Sequence, residues 1–277
     1  MLIDIARLLD PLEGDLLPAV AAFNVITLEY AEGIVLGAER AGLPAVLSIS
    51  QNAVRYHGSL EPIARACLAL AQSSTARIGL HLDHCDDVDL VLEAATLGFG
   101  SAMFDASTFS YDRNVAETAR VTALGHERGL WIEAELGEIG GKDGAHAPGV
   151  RTDPGQAAAF VASTGVDGLA VAVGTSHAMT ARTARPDQEL IRRMRAAVPV
   201  PLVLHGSSGV DDEGIRAAVS AGVRKVNVGT QLSAAYSSAL ANGLGPGPDP
   251  RAALRCARES IADTVDKLLR VISSPSS

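Results

Sequence analysis

Short apolar runs alternate along this chain with longer segments in which apolar positions recur at helical spacing. The runs cover 19–24, 45–50, 78–83, 101–105, 131–135, 168–173, 200–205 and 223–228. Most are apolar throughout, the pattern of a strand buried on both faces. Helical segments fall between them at 28–41, 88–97, 114–128, 154–163 and 188–197, with further helix starts near Asp211 and Gln231. Small-residue breaks such as Ala41-Gly42-Leu43-Pro44 and Leu97-Gly98-Phe99-Gly100 end helices before the next strand. This rhythm predicts βαβ units and a parallel sheet. Eight such units in 277 residues favour an α/β fold of the (β/α)8 TIM-barrel type over an open doubly wound sheet. A turn-rich stretch at 242–250 leads to a last helix over 251–272. That C-terminal extension, about 250–272, is expected outside the barrel or against another subunit, within one domain spanning 1–277.

Every predicted strand ends in, or runs into, a polar residue: Asn24, Ser50, Asp83 with His84, Asp105, Glu135, His177, His205 and Asn227. In a barrel the C-terminal strand ends carry the active site. A lone histidine there is usually a hydrogen-bonded rim residue, and a lone Ser or Asn is usually a helix cap. The full set is too consistent for caps. His84, His177 and His205 come from three different strands and can hold a divalent metal with a coordination position open, with Asp83 supplying a carboxylate beside it. Glycine-rich turns follow strands seven and eight, His205-Gly206-Ser207-Ser208-Gly209 and Asn227-Val228-Gly229-Thr230. Backbone N–H groups in such turns bind phosphate, and these two loops are the usual place in this fold. The loop at 138–151 is long and lacks helical pattern, which suits a lid with glycine hinges before Lys142 and Asp143. His57, His126 and His146 fall at loop or helix positions and are read as non-ligands. His81, inside strand three, is read as a buried, hydrogen-bonded histidine. Metal, rim carboxylates and a phosphate site together point to carbon–carbon cleavage next to a carbonyl.

Composition narrows the partners. The net charge of −9 argues against nucleic acid and against an anionic membrane surface, so a phosphate must be held locally by backbone groups. Three scattered cysteines, Cys67, Cys85 and Cys256, suit a reducing cytoplasm. No apolar run is long enough for a membrane span and no secretory signal is visible, so the expectation is a soluble, cytoplasmic protein.

Several segments together resemble the class II, metal-dependent ketose-bisphosphate aldolases, the fructose- and tagatose-1,6-bisphosphate aldolase group. They include Ala22-Phe23-Asn24-Val25, Leu82-Asp83-His84, Glu133-Ala134-Glu135-Leu136-Gly137, Gly174-Thr175-Ser176-His177, Leu204-His205-Gly206-Ser207-Ser208-Gly209 and Lys225-Val226-Asn227-Val228-Gly229-Thr230, with Gly98 to Asp105 and Asp249-Pro250-Arg251. The resemblance implies a Zn2+ ion held by His84, His177 and His205, with Asp83 exchanging the proton of the C4 hydroxyl. It implies alternative or second-metal contacts at Glu135 and Asp105. Gly174, Gly206, Ser208, Asn227 and Thr230 would form a dihydroxyacetone-phosphate pocket, where a monovalent cation is often added. Asn24 and Ser50 would touch substrate, and Arg251 would reach the distal phosphate, commonly of a neighbouring subunit, in a homodimer or homotetramer. The substrate is then a small phosphosugar.

The chain departs from the family at three places. Asp143 stands where the lid usually carries a glutamate that exchanges a proton with the enediolate carbon. His177-Ala178-Met179-Thr180 lacks the lysine that usually follows, and Gly229 stands where some members have Asp or Asn. Three rival readings share parts of this pattern. A zinc barrel hydrolase would use the metal to activate water, a Schiff-base aldolase would use Lys225, and a non-catalytic homologue would only bind metal and phosphosugar.

Overall fold

The computed structural model describes residues 1–9, 18–137, 151–176, 179 and 181–274. Its elements run α1 (Ile5–Leu9), β1 (Val20–Asn24), α2 (Leu28–Ala41), β2 (Ala45–Ser50), α3 (Gln51–His57), α4 (Glu61–Ser73), β3 (Ile78–Cys85) and α5 (Val88–Thr96). They continue with β4 (Ser101–Phe104), α6 (Tyr111–His126), β5 (Trp131–Leu136), α7 (Pro154–Thr164), β6 (Gly168–Val171) and α8 (Gln188–Ala197). The last are β7 (Leu202–Leu204), α9 (Asp212–Ala221), β8 (Val223–Val228), α10 (Thr230–Gly243) and α11 (Arg251–Ser273). The strands pair in parallel, each with its neighbour in sequence, and β8 closes on β1. This is the predicted TIM barrel. Two of the predicted strands, 45–50 and 223–228, match their observed limits, and the limits of the others shift by one or two residues.

Local chemistry sets the helix starts. Asp87, Asp153, Asp187 and Asp211 cap α5, α7, α8 and α9, each carboxylate accepting a backbone N–H of the first turn. Every strand enters its barrel with a wholly or almost wholly buried burial pattern, as continuous apolar runs predict. At the N-terminal end, Ile5, Leu8 and Leu9 of α1 pack onto Val20, Ala22, Val46 and Trp131, closing the barrel floor. The opposite end is left for polar groups.

The C-terminal helix α11 lies outside the barrel against α2 and carries a buried stripe of Ala257, Ile261, Val265, Leu268 and Ile272. Each of the larger side chains contributes about 1.5–3 kcal/mol when taken out of water. The approach is close because α2 offers glycine at two successive turns. A Cβ at Gly33 would meet the Arg258 carbonyl at 2.7 Å, and one at Gly37 would meet the Ala262 carbonyl at 2.6 Å. Among the described residues no helix is long and apolar enough to cross a membrane.

Candidate active site

A cavity of about 670 Å³ opens over the C-terminal strand ends. Asn24 ends β1, Ser50 ends β2, Asp83 and His84 end β3, Asp105 follows β4, His205 follows β7 and Asn227 lies in β8; all line it. Six of the eight strands thus deliver polar groups to one rim, because parallel strands of a barrel all end on the same side.

β3 needs a local irregularity to do this. Successive side chains of a strand point to opposite faces, so Asp83 and His84 cannot both face the cavity in regular β conformation. The pairing register with β4 shifts between Leu82 and Cys85, and His84 takes a left-handed backbone with φ of 45°. It is the one non-glycine residue with positive φ among the described residues. Such a backbone costs about 1–3 kcal/mol and is held in place only where the surroundings over-determine it. Here it turns the imidazole onto the rim beside the Asp83 carboxylate.

Two carboxylates stand behind two imidazoles. His84 Nδ1 lies 2.8 Å from Asp105 Oδ2, and Asp105 is itself fixed by the Ser107 hydroxyl at 2.6 Å. His205 Nε2 lies 2.9 Å from Glu133 Oε1. An ionised carboxylate only accepts, so each ring gives its N–H to the carboxylate behind it. The nitrogens left over, His84 Nε2 and His205 Nδ1, face each other at 2.9 Å as two acceptors. Acceptors at that distance repel unless a cation sits with them, so the arrangement fits a bound metal ion. Asp83, His84 and His205 can present ligand atoms within 4.8 Å of one another, and His84, Asp105 and Glu135 form a second such group. Glu135 is buried, with Oε2 3.9 Å from His84 Nδ1.

Asp83 is almost completely buried and accepts from Asn24 Nδ2 at 2.8 Å and Asn227 Nδ2 at 3.2 Å. Burial alone would raise its pKa, but the neighbouring His84 and His205 outweigh that and hold it well below the ordinary carboxylate range. His205 moves the other way: burial and the nearby His84 push its pKa down to about 4, against the pull of Glu133. At neutral pH Asp83 is therefore an anion beside a neutral imidazole.

The glycine-rich turns take up the same rim. Gly206 has φ of 68°, and a Cβ there would lie 2.7 Å from the Ser176 backbone. Ser207, Ser208 and Gly209 form a 3-10 turn, and Ser208 Oγ accepts the Gln231 N–H at 3.1 Å at the start of α10. Gly206, Ser208, Asn227 and Thr230 line the cavity, with Gly229 between the last two. Gly229 also makes room, since a Cβ there would sit 2.8 Å from Asn24 Oδ1.

Other predicted residues fare differently. Ser50 lines the cavity and also caps α3, accepting the Ala53 N–H at 3.2 Å. Gly174 has φ of 106° and lies against Arg151, outside the cavity lining. Arg251 starts α11 with its side chain 87% exposed and clamped to Asp249 at 2.7 Å, outside the cavity of its own chain. His177 and Asp143, with Glu138 and His146, lie outside the described residues. His57 and His126 are engaged elsewhere, with the Ile26 carbonyl at 2.7 Å and Asp167 at 2.8 Å. Sequence reading missed Arg55 and Asp86 of the cavity lining, and Gln51, whose amide ties α3 to Asp86 at 2.6 Å. It also missed Glu133, although its two-residue spacing from Glu135 puts both on one strand face. Lys225 is fully buried and paired with Glu133 at 2.7 Å, away from the cavity lining, which gives a Schiff base no access to substrate.

Comparison with known proteins agrees with this geometry. The family model for class-II fructose-bisphosphate aldolase matches residues 17–276. A fructose-bisphosphate aldolase from Thermus caldophilus is 34% identical, the alignment covering 92% of this chain and 93% of that protein. The YdjI protein of Escherichia coli K12 is 38% identical over 80% of this chain and 81% of its own. The crystal structure of the YdjI aldolase superposes with a TM-score of 0.88 at 32% identity, covering 100% of this chain and 99% of that one. The strand-end histidines, the shared rim and a match over nearly the whole length place the chain in the class-II fructose-bisphosphate aldolase family, whose members are carbon–carbon lyases.

Proposed function

We propose that the protein is a zinc-dependent aldolase that splits a ketose phosphate into dihydroxyacetone phosphate and an aldehyde, and joins them in reverse. The observation that carries this is the pair of imidazole nitrogens facing each other at 2.9 Å, each ring held by a carboxylate behind it. His84, His205 and, from outside the described residues, His177 would hold one zinc ion per chain, with Glu135 and Asp105 as alternative contacts or part of a second cation site. A bound zinc ion would polarise the substrate carbonyl and stabilise the negative charge left on it after cleavage.

The chain's own groups do the rest. Asp83, ionised and oriented by Asn24 and Asn227, accepts the proton of the C4 hydroxyl. The backbone N–H groups around Gly206, Ser208 and Thr230, with Gly174 nearby and the Asn227 side chain, receive the phosphate of the ketone half; a negatively charged chain needs such local donors. Ser50 and Asn24 bind substrate hydroxyls. Asp143 exchanges a proton at the carbon that bears the enediolate. In this reading the active form is a homodimer or homotetramer in the cytoplasm, and the exposed Arg251 serves a neighbouring subunit's distal phosphate.

The test combines elemental analysis with turnover. We expect about one zinc per chain, loss of activity on chelation, recovery on adding zinc, and cleavage within a panel of ketose mono- and bisphosphates. Borohydride reduction with substrate should leave Lys225 unmodified. A metal-free protein that is fully active, or a reduced adduct on Lys225, overturns the proposal.

A further inference from the structure

Behind His205 the barrel wall carries four polar side chains that line no part of the cavity: Glu133, Lys225, His81 and Ser101, all fully buried. Branched apolar side chains usually fill this part of a barrel. A buried ion pair is a weak source of stability, because its desolvation offsets its attraction. Its presence here calls for another reason.

The proton positions in this chain of contacts are determined one by one. The single hydroxyl proton of Ser101 goes to the Leu80 carbonyl at 3.1 Å, so its oxygen must accept from His81 Nδ1 at 2.9 Å. That makes His81 Nε2 an acceptor, and it faces Lys225 Nζ at 3.4 Å. Lys225, which has only donors, gives a second proton to Glu133 Oε2 at 2.7 Å. Glu133 Oε1 then accepts from His205 Nε2 at 2.9 Å. A neutral histidine with its proton on Nε2 presents the lone pair of Nδ1, and Nδ1 is the nitrogen that faces His84.

From this we propose that Ser101, His81, Lys225 and Glu133 are positioning residues that fix the tautomer of His205, with Lys225 forbidding the opposite arrangement. Any group that faces an ammonium must present an acceptor to it. The metal part of this inference rests on the zinc reading above; the tautomer part does not.

The critical variant is Glu133→Gln. Its carbonyl oxygen must turn to Lys225, leaving its NH2 toward His205 Nε2. His205 then has to accept there and carry its proton on Nδ1, the wrong nitrogen for a metal. We expect 15N spectra of the metal-free, histidine-labelled protein to show the Nε2–H tautomer at His205 in the parent and the Nδ1–H tautomer in Glu133→Gln. The His205 signal is identified by its loss in His205→Asn. Zinc affinity should fall about 10–100-fold in Glu133→Gln. Adding Lys225→Met removes the constraint, because the amide can then offer its oxygen to His205 and its NH2 to His81 Nε2. The double variant should regain the parent tautomer and most of the zinc affinity, which a purely structural role for either residue would not produce. An unchanged tautomer in Glu133→Gln, or a double variant that binds zinc no better than the single one, overturns the proposal. Should Glu133→Gln fail to fold, an Nδ1–H tautomer at His205, or an Nε2–H tautomer at His81, in the parent protein does the same. A parent that takes up no zinc sinks the zinc reading instead, while the tautomers still decide this one.

Discussion

Replacing Asp83 by Asn keeps the shape of the side chain and removes its charge, which separates its chemical role from its structural one. In the parent, two amide donors, Asn24 Nδ2 at 2.8 Å and Asn227 Nδ2 at 3.2 Å, point at the two carboxylate oxygens. Asparagine offers one oxygen and one NH2, so one donor must face another donor. The lost bond and the stranded amide cost about 1–3 kcal/mol, partly offset because a buried anion no longer needs desolvating. For a domain of this size that lowers Tm by about 2–5 °C, so the fold survives. Chemistry should suffer far more. A positioned general base contributes about 100- to 10,000-fold, equal to about 3–5 kcal/mol of barrier. Asp83→Asn should therefore lower kcat for cleavage by that factor while zinc content, read by elemental analysis on the same sample, stays near the parent value. Zinc lost in proportion to activity would show that Asp83 supports His84 rather than moving a proton. Activity within about threefold of the parent would remove it from the mechanism altogether.

Acid should destabilise the metal-free protein. His205 and His81 are held by burial to pKa values of about 4 and about 3, below the unfolded value of 6.5, so the unfolded chain binds more protons as pH falls. Their contribution is complete above pH 6.5 and is lost on the way down through about 4 for His205 and about 3 for His81, so urea midpoints should decline over that window; flat midpoints would refute the buried-neutral assignment. Gly37→Val would push a side chain into the Ala262 carbonyl and Val265 of α11, costing about 3 kcal/mol and lowering Tm by about 5 °C; an unshifted melt would mean the two helices are not so closely packed. Asp143→Ala should nearly stop hydrogen exchange into dihydroxyacetone phosphate and Asp143→Glu should speed it, since a misplacement of about 1 Å can cost on the order of 100-fold; equal exchange in both and in the parent would pass the role to Glu138 or His146.

The barrel was legible in the sequence because burial on both faces makes each strand a nearly unbroken apolar run, and because eight such runs recur with helical segments between them. The rim was legible for a related reason: a polar residue at the end of an apolar run has nowhere to go but the open end of the barrel. Asn24, Ser50, Asp105, His205 and Asn227 all follow that rule and meet at one cavity. Glu133 did not stand out, and Lys225 did so only as a Schiff-base candidate, since a charged residue inside a strand looks the same whether it faces solvent or a partner across the barrel. Their pairing joins residues 92 positions apart, and only closure of β8 onto β1 brings it about. The α2–α11 contact is of the same kind: Gly33 and Gly37 read as helix-weakening until another helix is seen to need their space. His84 is the sharpest case. Residue order puts it beside Asp83, and strand geometry would send the two side chains to opposite faces. The left-handed backbone at φ 45° and the register shift against β4 bring both to the rim, a choice made by tertiary contacts strong enough to hold a conformation that no local preference favours.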